Sequence, residues 1–367
     1  MPQIHTVSVK NQRTYFASLV CIGLVVILFQ CFLLKIVIVG TPRSKPENPI
    51  VHSVLYFNPP SHVDPQQWRF STCRIPHCRF TTKRRELNTS KAVIFHHTRM
   101  PDYPPPKPKD QKWIFTSKES PVYTHNTSLL REWNKKFDWI MSYRKDGDFY
   151  DGYGDLVQRE HSINKNYSDI FSHKKLDVSW AVSNCKSHSQ REVYVRELMK
   201  YIPVTVFGKC GNRYCGPKTD DENDPCLHVV SHNFKFYLAF ENSLCEDYTS
   251  EKFYFIFLYD MPVIPVVRGA LNGKIKLPRG TFIDTNDFKS PQLLAKYLKE
   301  VGDSSEEYIK LLKKKDEYVS RSMSEIFQSA LCNLCERLHF DNSTSEAYDM
   351  KEWYFTDQCK EPTDLSF

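Results

Sequence analysis

Beyond residue 49, apolar residues come in short runs of strand length, separated by polar, proline-rich or helix-periodic segments. "IVHSVLYF" (50–57), "KAVIFHH" (91–97), "KWIFTS" (112–117) and "FDWIMSYR" (137–144) read as strands. Between the second and third, "MPDYPPPKPKD" cannot be regular structure, because each proline fixes φ and lacks a backbone donor. Further on, "DVSWAVSNC" (177–185), "SQREVYVRELMKYI" (189–202) and "VTVFG" (204–208) give strand, helix-periodic segment and strand, an order that argues a parallel sheet. "KFYLAF" (235–240), "SEKFYFIFLYD" (250–260), "PVIPVVRG" (262–269), "TFIDTNDF" (281–288) and "SPQLLAKYLKEV" (290–301) continue the alternation. The expectation is an α/β chain of two halves joined near residue 173.

The longest apolar run lies ahead of these elements. "FASLVCIGLVVILFQCFLL" (16–34) carries no charge over 19 residues, about 29 Å as a helix, which matches a hydrocarbon core of about 30 Å. Lys10 and Arg13 precede it without an acidic residue, placing the tail on the cytosolic side. The expected order is a cytoplasmic tail (1–15), a signal-anchor transmembrane helix (16–39), a short stem (40–49), an N-terminal domain (50–172), a C-terminal domain (173–345) and a tail (346–367). A net charge of +7, interrupted by acidic stretches such as "TDDEND", suits a small anionic ligand and not nucleic acid.

Cysteine usage bears on the compartment. Two of the 12 cysteines, Cys21 and Cys31, lie in the apolar span, leaving ten in the remainder. An even number in a lumenal domain favours disulfides; zinc held by Cys73, Cys78, Cys332 and Cys335 is the competing reading. Sequons at Asn88, Asn126, Asn166 and Asn342 also suit a secretory protein.

Several polar residues stand where α/β proteins place chemistry. Arg191 opens a helix after the strand ending in "SNC", where free N–H groups and the helix dipole favour an anion; a solvated helix residue is the alternative. In "FENSLCEDYTSEK" (240–252), Asn242, Tyr248, Glu251 and Lys252 crowd a loop and helix start after a buried strand, with helix capping by Thr249 or Ser250 as the other reading. Glu119, at the end of "WIFTSKES", is a candidate general base or a solvated loop residue. His96 and His97 end another strand, whose alternation sends them to opposite faces. "DGD" (146–148) has the spacing of some metal sites, but Asp-Gly is also a turn signal, and the turn is favoured.

Taken together, these blocks resemble the α1,3/4-fucosyltransferases of glycosyltransferase family 10. The similarity lies in "FYLAFENSLCEDYTSEKFY", "MSYRKDGDFYDGYG", "WAVSNC" with "SQREVY", "VTVFGKCG", "IFHH", "WIFTSKESP" and "PVIPVVRG", in order over about residues 50–340. The resemblance implies an inverting GT-B enzyme, two Rossmann-like domains facing a cleft, with GDP-fucose as donor. It implies Glu119 as general base, Arg191 and Lys252 on the pyrophosphate, and Asn242, Tyr248 and Glu251 as further donor contacts. His96, His97 and Arg144 fall on the acceptor side. No tightly held metal is implied, although Mn²⁺ is a conceivable activator. The expected setting is the Golgi membrane, with the catalytic part lumenal and a glycoprotein or oligosaccharide as acceptor. "GKCGNRYC" with Cys226 downstream is similar to invertebrate and plant members that act on the N-glycan core. The Cys73/Cys78 pair is expected to meet the Cys332/Cys335 pair. Family membership also leaves room for a pseudoenzyme that binds GDP-sugar without transfer.

Overall fold

The computed structural model describes residues 50–365 apart from 62–66, 125–128, 130, 218, 220–223, 270–274 and 342–345. The expected membrane helix and stem, and the sequons at Asn126 and Asn342, lie outside the described residues. Among the described residues no helix is long and apolar enough to cross a membrane. The chain from Val51 to Phe367 forms one compact unit.

Two parallel sheets organise this unit. The first contains β1 (His52–Tyr56), β2 (Cys78–Thr81), β3 (Ala92–His96), β4 (Lys112–Ser117), β5 (Trp139–Ser142) and β6 (Phe149–Tyr150), in the order β2-β1-β3-β4-β5-β6. Its central strands are buried on both faces: Ala92, Val93, Ile94 and Phe95 of β3 are all inaccessible, as expected for parallel strands covered on two sides. A short strand, β7 (Asp155–Gln158), and helix α1 (Tyr167–His173) lead to the second sheet. That sheet holds β8 (Leu176–Ala181), β9 (Val204–Phe207), β10 (Phe234–Phe240), β12 (Ile264–Arg268) and β13 (Ile283–Asp284), in the order β13-β12-β10-β8-β9. Helices α2 (Arg191–Leu198), α3 (Pro225–Asn233), α4 (Glu251–Leu258), α5 (Pro291–Asp303) and α6 (Ser305–Lys315) intervene or follow. The strand order reverses between β8 and β10, and such reversals open a crevice at the carboxyl ends of the strands.

One face of the second sheet packs Trp180, Phe236 and Leu238 against Tyr194 and Leu198 of α2 and Leu294 and Leu298 of α5. The other packs Ala239 and Val267 against Phe253, Ile256 and Phe257 of α4. The register of β10 on β12 runs from Phe236–Ile264 to Phe240–Arg268, so both strands end together beneath the polar segment 241–252.

The late chain does not stay with the second sheet. Strand β14 (Tyr318–Arg321) pairs antiparallel with β7. Helix α7 (Met323–Phe340), started by a capping box between Ser322 and Glu325, then lays Phe327, Leu331, Leu334 and Leu338 on Val54, Ile94, Ile114 and Met141 of the first sheet. Each such buried side chain contributes roughly 1.5–3 kcal/mol of transfer free energy, so α7 is core to a half that ends some 170 residues earlier. Disulfides Cys73–Cys332 and Cys78–Cys335 fasten it there. Both cysteines of Cys78–Cys335 lie near His339, the one metal-compatible grouping among the described residues, but their sulfurs are consumed by the bridge.

Residues 346–365, expected as a tail, also return to the first sheet. Met350 and Tyr354 are fully buried against Phe95, Phe115 and Trp133, on the face opposite α7. The chain then pairs β15 (Cys359–Lys360) with β11 (Leu244–Cys245), locked by Cys245–Cys359, and Asp364 closes a bidentate pair with buried Arg268. Only the apolar spacing of this segment is visible in sequence; which sheet it covers depends on the path of α7.

Candidate active site

Sharp chain reversals at the carboxyl ends of β8, β9 and β10, together with β4 of the first sheet, surround a cavity of about 860 Å³. Glu119, Arg191, Asn242, Tyr248, Glu251 and Lys252 all line it, and its volume is that of a small-molecule site.

Its cationic side begins with Lys252. The ammonium lies 2.8 Å from Ser250 Oγ, 3.1 Å from Glu251 Oε1 and 3.6 Å from Glu241 Oε2. Burial opposes its charge, but Glu251 and Glu241 outweigh that and hold its pKa above the ordinary lysine value. Glu241 is buried, and burial lifts its carboxyl above the usual range against the pull of Lys252. Ser250 donates to Glu241 twice, from its backbone N–H and its hydroxyl, both at 2.7 Å. Burial raises the Glu251 carboxyl too, but Lys252 brings it below the ordinary value.

This arrangement corrects the capping expectation. Ser250 occupies the N-cap position of α4, but its hydroxyl makes no capping bond and turns to Glu241 instead. Glu241 wins because a buried carboxylate needs donors more than a helix start needs an acceptor. Glu241 stands out in the sequence only as one of the polar residues crowding the segment after Phe240, with no role of its own; the signal is its place directly where a buried strand gives way to the polar loop.

Arg191 is buried, donates from Nη1 to Phe240 O at 2.6 Å, and its Nε has no hydrogen-bond partner. A buried donor without an acceptor is costly unless a ligand supplies one. Beyond it the cavity wall is the 208–216 loop, framed by Cys185–Cys210 and Cys215–Cys226. Gly208 and Gly216 take positive φ, and a Cβ on Gly211 would meet Val206 O at 2.0 Å.

Glu119 faces these groups from the first sheet. Its Oε1 accepts from Ser120 N at 2.8 Å and from Tyr248 Oη at 2.7 Å, with Asn242 Nδ2 at 3.5 Å. Tyr248 is buried, and burial with the nearby Tyr153 and Glu119 pushes its phenol well above the ordinary value, so it stays a donor. Tyr153 lines the same wall and meets the Tyr248 ring edge-on at 6.3 Å.

The remaining expectations fare differently. His96 and His97 do not diverge: β3 ends at His96, strand alternation stops there, and the two rings lie 4.4 Å apart. Burial lowers the His97 pKa, with Glu119 opposing, and its Nδ1 is buried without a partner. His96 bonds Thr98 Oγ1. Arg144 is not available to a ligand: it is buried, paired with Asp146, bonded to Trp353 O and Gln358, and stacked on the Trp353 ring. Arg144, Lys145, Asp146 and Gly147 form a turn, closed by Gly147 N donating to Arg144 O. Asp148 accepts from Ile140 N and pairs with Arg337, so these carboxylates are committed to the protein and do not suit a metal ion. Asn88 and Asn166 are exposed, Asn166 also capping α1.

Comparison with known proteins gives a consistent set of likenesses. Residues 51–154 match a family model described as "Fucosyltransferase, N-terminal", and residues 171–353 match "Glycosyltransferase family 10 (fucosyltransferase) C-term". The chain is 30% identical over 291 residues to glycoprotein 3-alpha-L-fucosyltransferase A of Drosophila melanogaster, covering 77% of this chain and 55% of that protein. It is 32% identical over 287 residues to 4-galactosyl-N-acetylglucosaminide 3-alpha-L-fucosyltransferase 9 of Mus musculus, covering 76% and 75%. A crystal structure of an alpha1,3-fucosyltransferase with GDP-fucose shares the fold, with a TM-score of 0.53 at 14% identity over 84% of this chain and 96% of that one.

Proposed function

The chain belongs to glycosyltransferase family 10, the fucosyltransferases, and from that premise we propose that its cavity binds GDP-β-L-fucose and transfers fucose, with inversion, to the 3-hydroxyl of an N-acetylglucosamine in a glycoprotein glycan. The carrying observation is the opposition of Glu119, from the first sheet, to Arg191 and Lys252, from the second, across one cavity. In GT-B terms the first sheet is the acceptor side and the second the donor side. The Drosophila relative's name speaks of a glycoprotein acceptor and the mouse relative's of a 4-galactosyl-N-acetylglucosaminide, so the N-glycan core and LacNAc or LacdiNAc antennae stand as the acceptor classes to compare.

The donor is β-linked and the product α-linked, which calls for one displacement. Glu119 takes the acceptor O3 proton as O3 bonds to fucose C1; the bond from C1 to the β-phosphate oxygen breaks, and its electrons leave with GDP. Arg191, whose Nε lacks an internal partner, and Lys252 stabilise the charge that grows on the departing diphosphate. Asn242, Tyr248 and Glu251 hold the donor around C1. Arg191 and Lys252 serve the leaving group, and Mn²⁺ would act as an activator that is not tightly held. The apolar span 16–34, five disulfides and the exposed sequons Asn88 and Asn166 support a single-pass type II protein of the Golgi membrane with this unit in the lumen.

The test is transfer from labelled GDP-fucose to N-glycan core, LacNAc and LacdiNAc acceptors by protein secreted from eukaryotic cells. Glu119→Gln should lose roughly 10²–10⁴ of the transfer rate and keep GDP affinity. Retained turnover in that variant would remove Glu119 as base; donor binding without transfer to any acceptor by the wild type would mark a pseudoenzyme.

A further inference from the structure

Glu119 sits on a short segment after β4, and a carboxylate that must meet a hydroxyl and a sugar carbon within fractions of an ångström needs its main chain fixed. The fixing group comes from the far end of the chain. Tyr354 is inaccessible to solvent; its phenol donates to Glu119 O at 2.6 Å and lies 2.9 Å from Ser117 Oγ and 3.0 Å from Thr124 Oγ1. Ser117 Oγ in turn accepts from Glu119 N at 3.2 Å, so both backbone polar groups of Glu119 are tied into one buried cluster. Four residues on, the same strap reaches the other sheet: Glu246 N donates to Gln358 O at 2.8 Å, and Cys359 is bonded to Cys245 within the donor-side loop. The segment from Tyr354 to Cys359 therefore spans from the backbone of Glu119 to the loop that carries Asn242 and Tyr248.

We propose that Tyr354 is a positioning residue for the transfer reaction, holding Glu119 in register with the donor through the strap that Cys245–Cys359 anchors; this rests on Glu119 being the base. Tyr354 touches neither substrate. It acts through the Glu119 main chain, and its loss lets the carboxylate drift from the acceptor hydroxyl while Arg191 and Lys252 stay in place. Tyr354→Phe is a clean perturbation. The ring keeps its edge contacts with Phe115 and Phe355. Thr124 Oγ1 keeps Ser120 O at 2.9 Å, and Ser117 Oγ keeps its two 3.2 Å contacts with Glu119, so no hydroxyl is stranded, while Glu119 O loses its 2.6 Å donor and with it the tie to the strap.

The experiment compares full-chain wild type, Tyr354→Phe and Ser117→Ala made in eukaryotic cells, with active molecules counted by calorimetric titration with GDP. Counting sites removes any effect of partial unfolding. We expect kcat per GDP-binding site to fall between tenfold and about a hundredfold in Tyr354→Phe, the scale of a misplacement near 1 Å, with KM for GDP-fucose and Kd for GDP within twofold of wild type. Ser117→Ala should move the same way by a smaller factor, and it decides the matter if Tyr354→Phe does not fold. An unchanged kcat per site in the folded variants, or a loss carried by donor KM, overturns the proposal while leaving the transfer function intact. Wild type that binds GDP and transfers to no acceptor overturns the function, and this inference with it.

Discussion

Lys252→Met tests the electrostatic design of the cationic wall, because it removes the ammonium and keeps most of the apolar stem. Lys252 lies within 3.6 Å of Glu241 and 3.1 Å of Glu251. Without it, buried Glu241 keeps its two bonds from Ser250 but loses the cation beside it. Breaking a buried pair from one side costs about 3–5 kcal/mol near neutral pH. The carboxyl of Glu241 is already raised by burial, and loss of Lys252 raises it further. A carboxyl with a folded pKa above its unfolded value binds more protons when folded, so it destabilises at high pH and the deficit closes as pH falls through the folded pKa. The relief approaches about 1.4 kcal/mol per pH unit while Glu241 protonates. Urea unfolding of both proteins between pH 5 and 8 should show a gap of several kcal/mol at pH 8 that narrows toward pH 5. GDP titration of the same samples should show affinity weakened roughly ten- to a hundredfold, the worth of about 1.5–3 kcal/mol for a charged hydrogen bond. A stability gap that stays constant across this pH range would refute the assignment of Glu241 as the stranded charge. Unchanged GDP affinity would remove Lys252 from the phosphate site.

Two further expectations concern the second sheet. Lys174 is buried with its ammonium donating to Ser231 O, and burial, with Lys315 adding, pulls its pKa down to about 7. Since the unfolded chain binds more protons between pH 7 and 10, stability should climb with pH over that window; Lys174→Met should flatten the climb and be roughly 2–3 kcal/mol more stable at pH 7, which denaturant titration reads directly. Gly211→Ala should weaken GDP binding several-fold by calorimetry, because its Cβ would meet a backbone oxygen of β9 at 2.0 Å and the cavity loop must move; an unchanged affinity would place the loop outside the donor site.

Much of this architecture was legible in the sequence, for a physical reason. The strands of both sheets are parallel and buried on two faces, so they read as unbroken apolar runs bounded by turn residues, and segments such as Ala92–His96 and Lys112–Ser117 fall inside the runs that mark them. The polar loop after Phe240 was equally plain, because an abrupt switch from apolar to polar residues at a strand end has few structural uses. What sequence could not reveal is what covers what. Apolar spacing over 323–340 and 348–355 marks burial but not the partner, and both segments pass the nearer sheet to cover the first. The role of Glu241 escaped because it depends on Ser250 and Lys252 closing over it, and Arg144, which the resemblance implied on the acceptor side, is held by Asp146, Trp353 and Gln358, partners that only the fold brings to it.

The return of α7 and the terminal strap to the first sheet also fixes the order in which the newborn protein can mature. All six strands of that sheet have been synthesised by residue 150, yet α7 on one face and Met350 with Tyr354 on the other belong to its core. At 5–20 residues per second, residues 150 to 340 take roughly 10 to 40 s to make, and for that interval the nascent sheet waits with an incomplete apolar interior while Cys73 and Cys78 have no native partner. The second sheet, whose strands and helices run together from Leu176 to Lys315, faces no such delay. Synthesis therefore favours completion of the later half first, and the earlier half stays open until α7 and the strap through Cys359 are made.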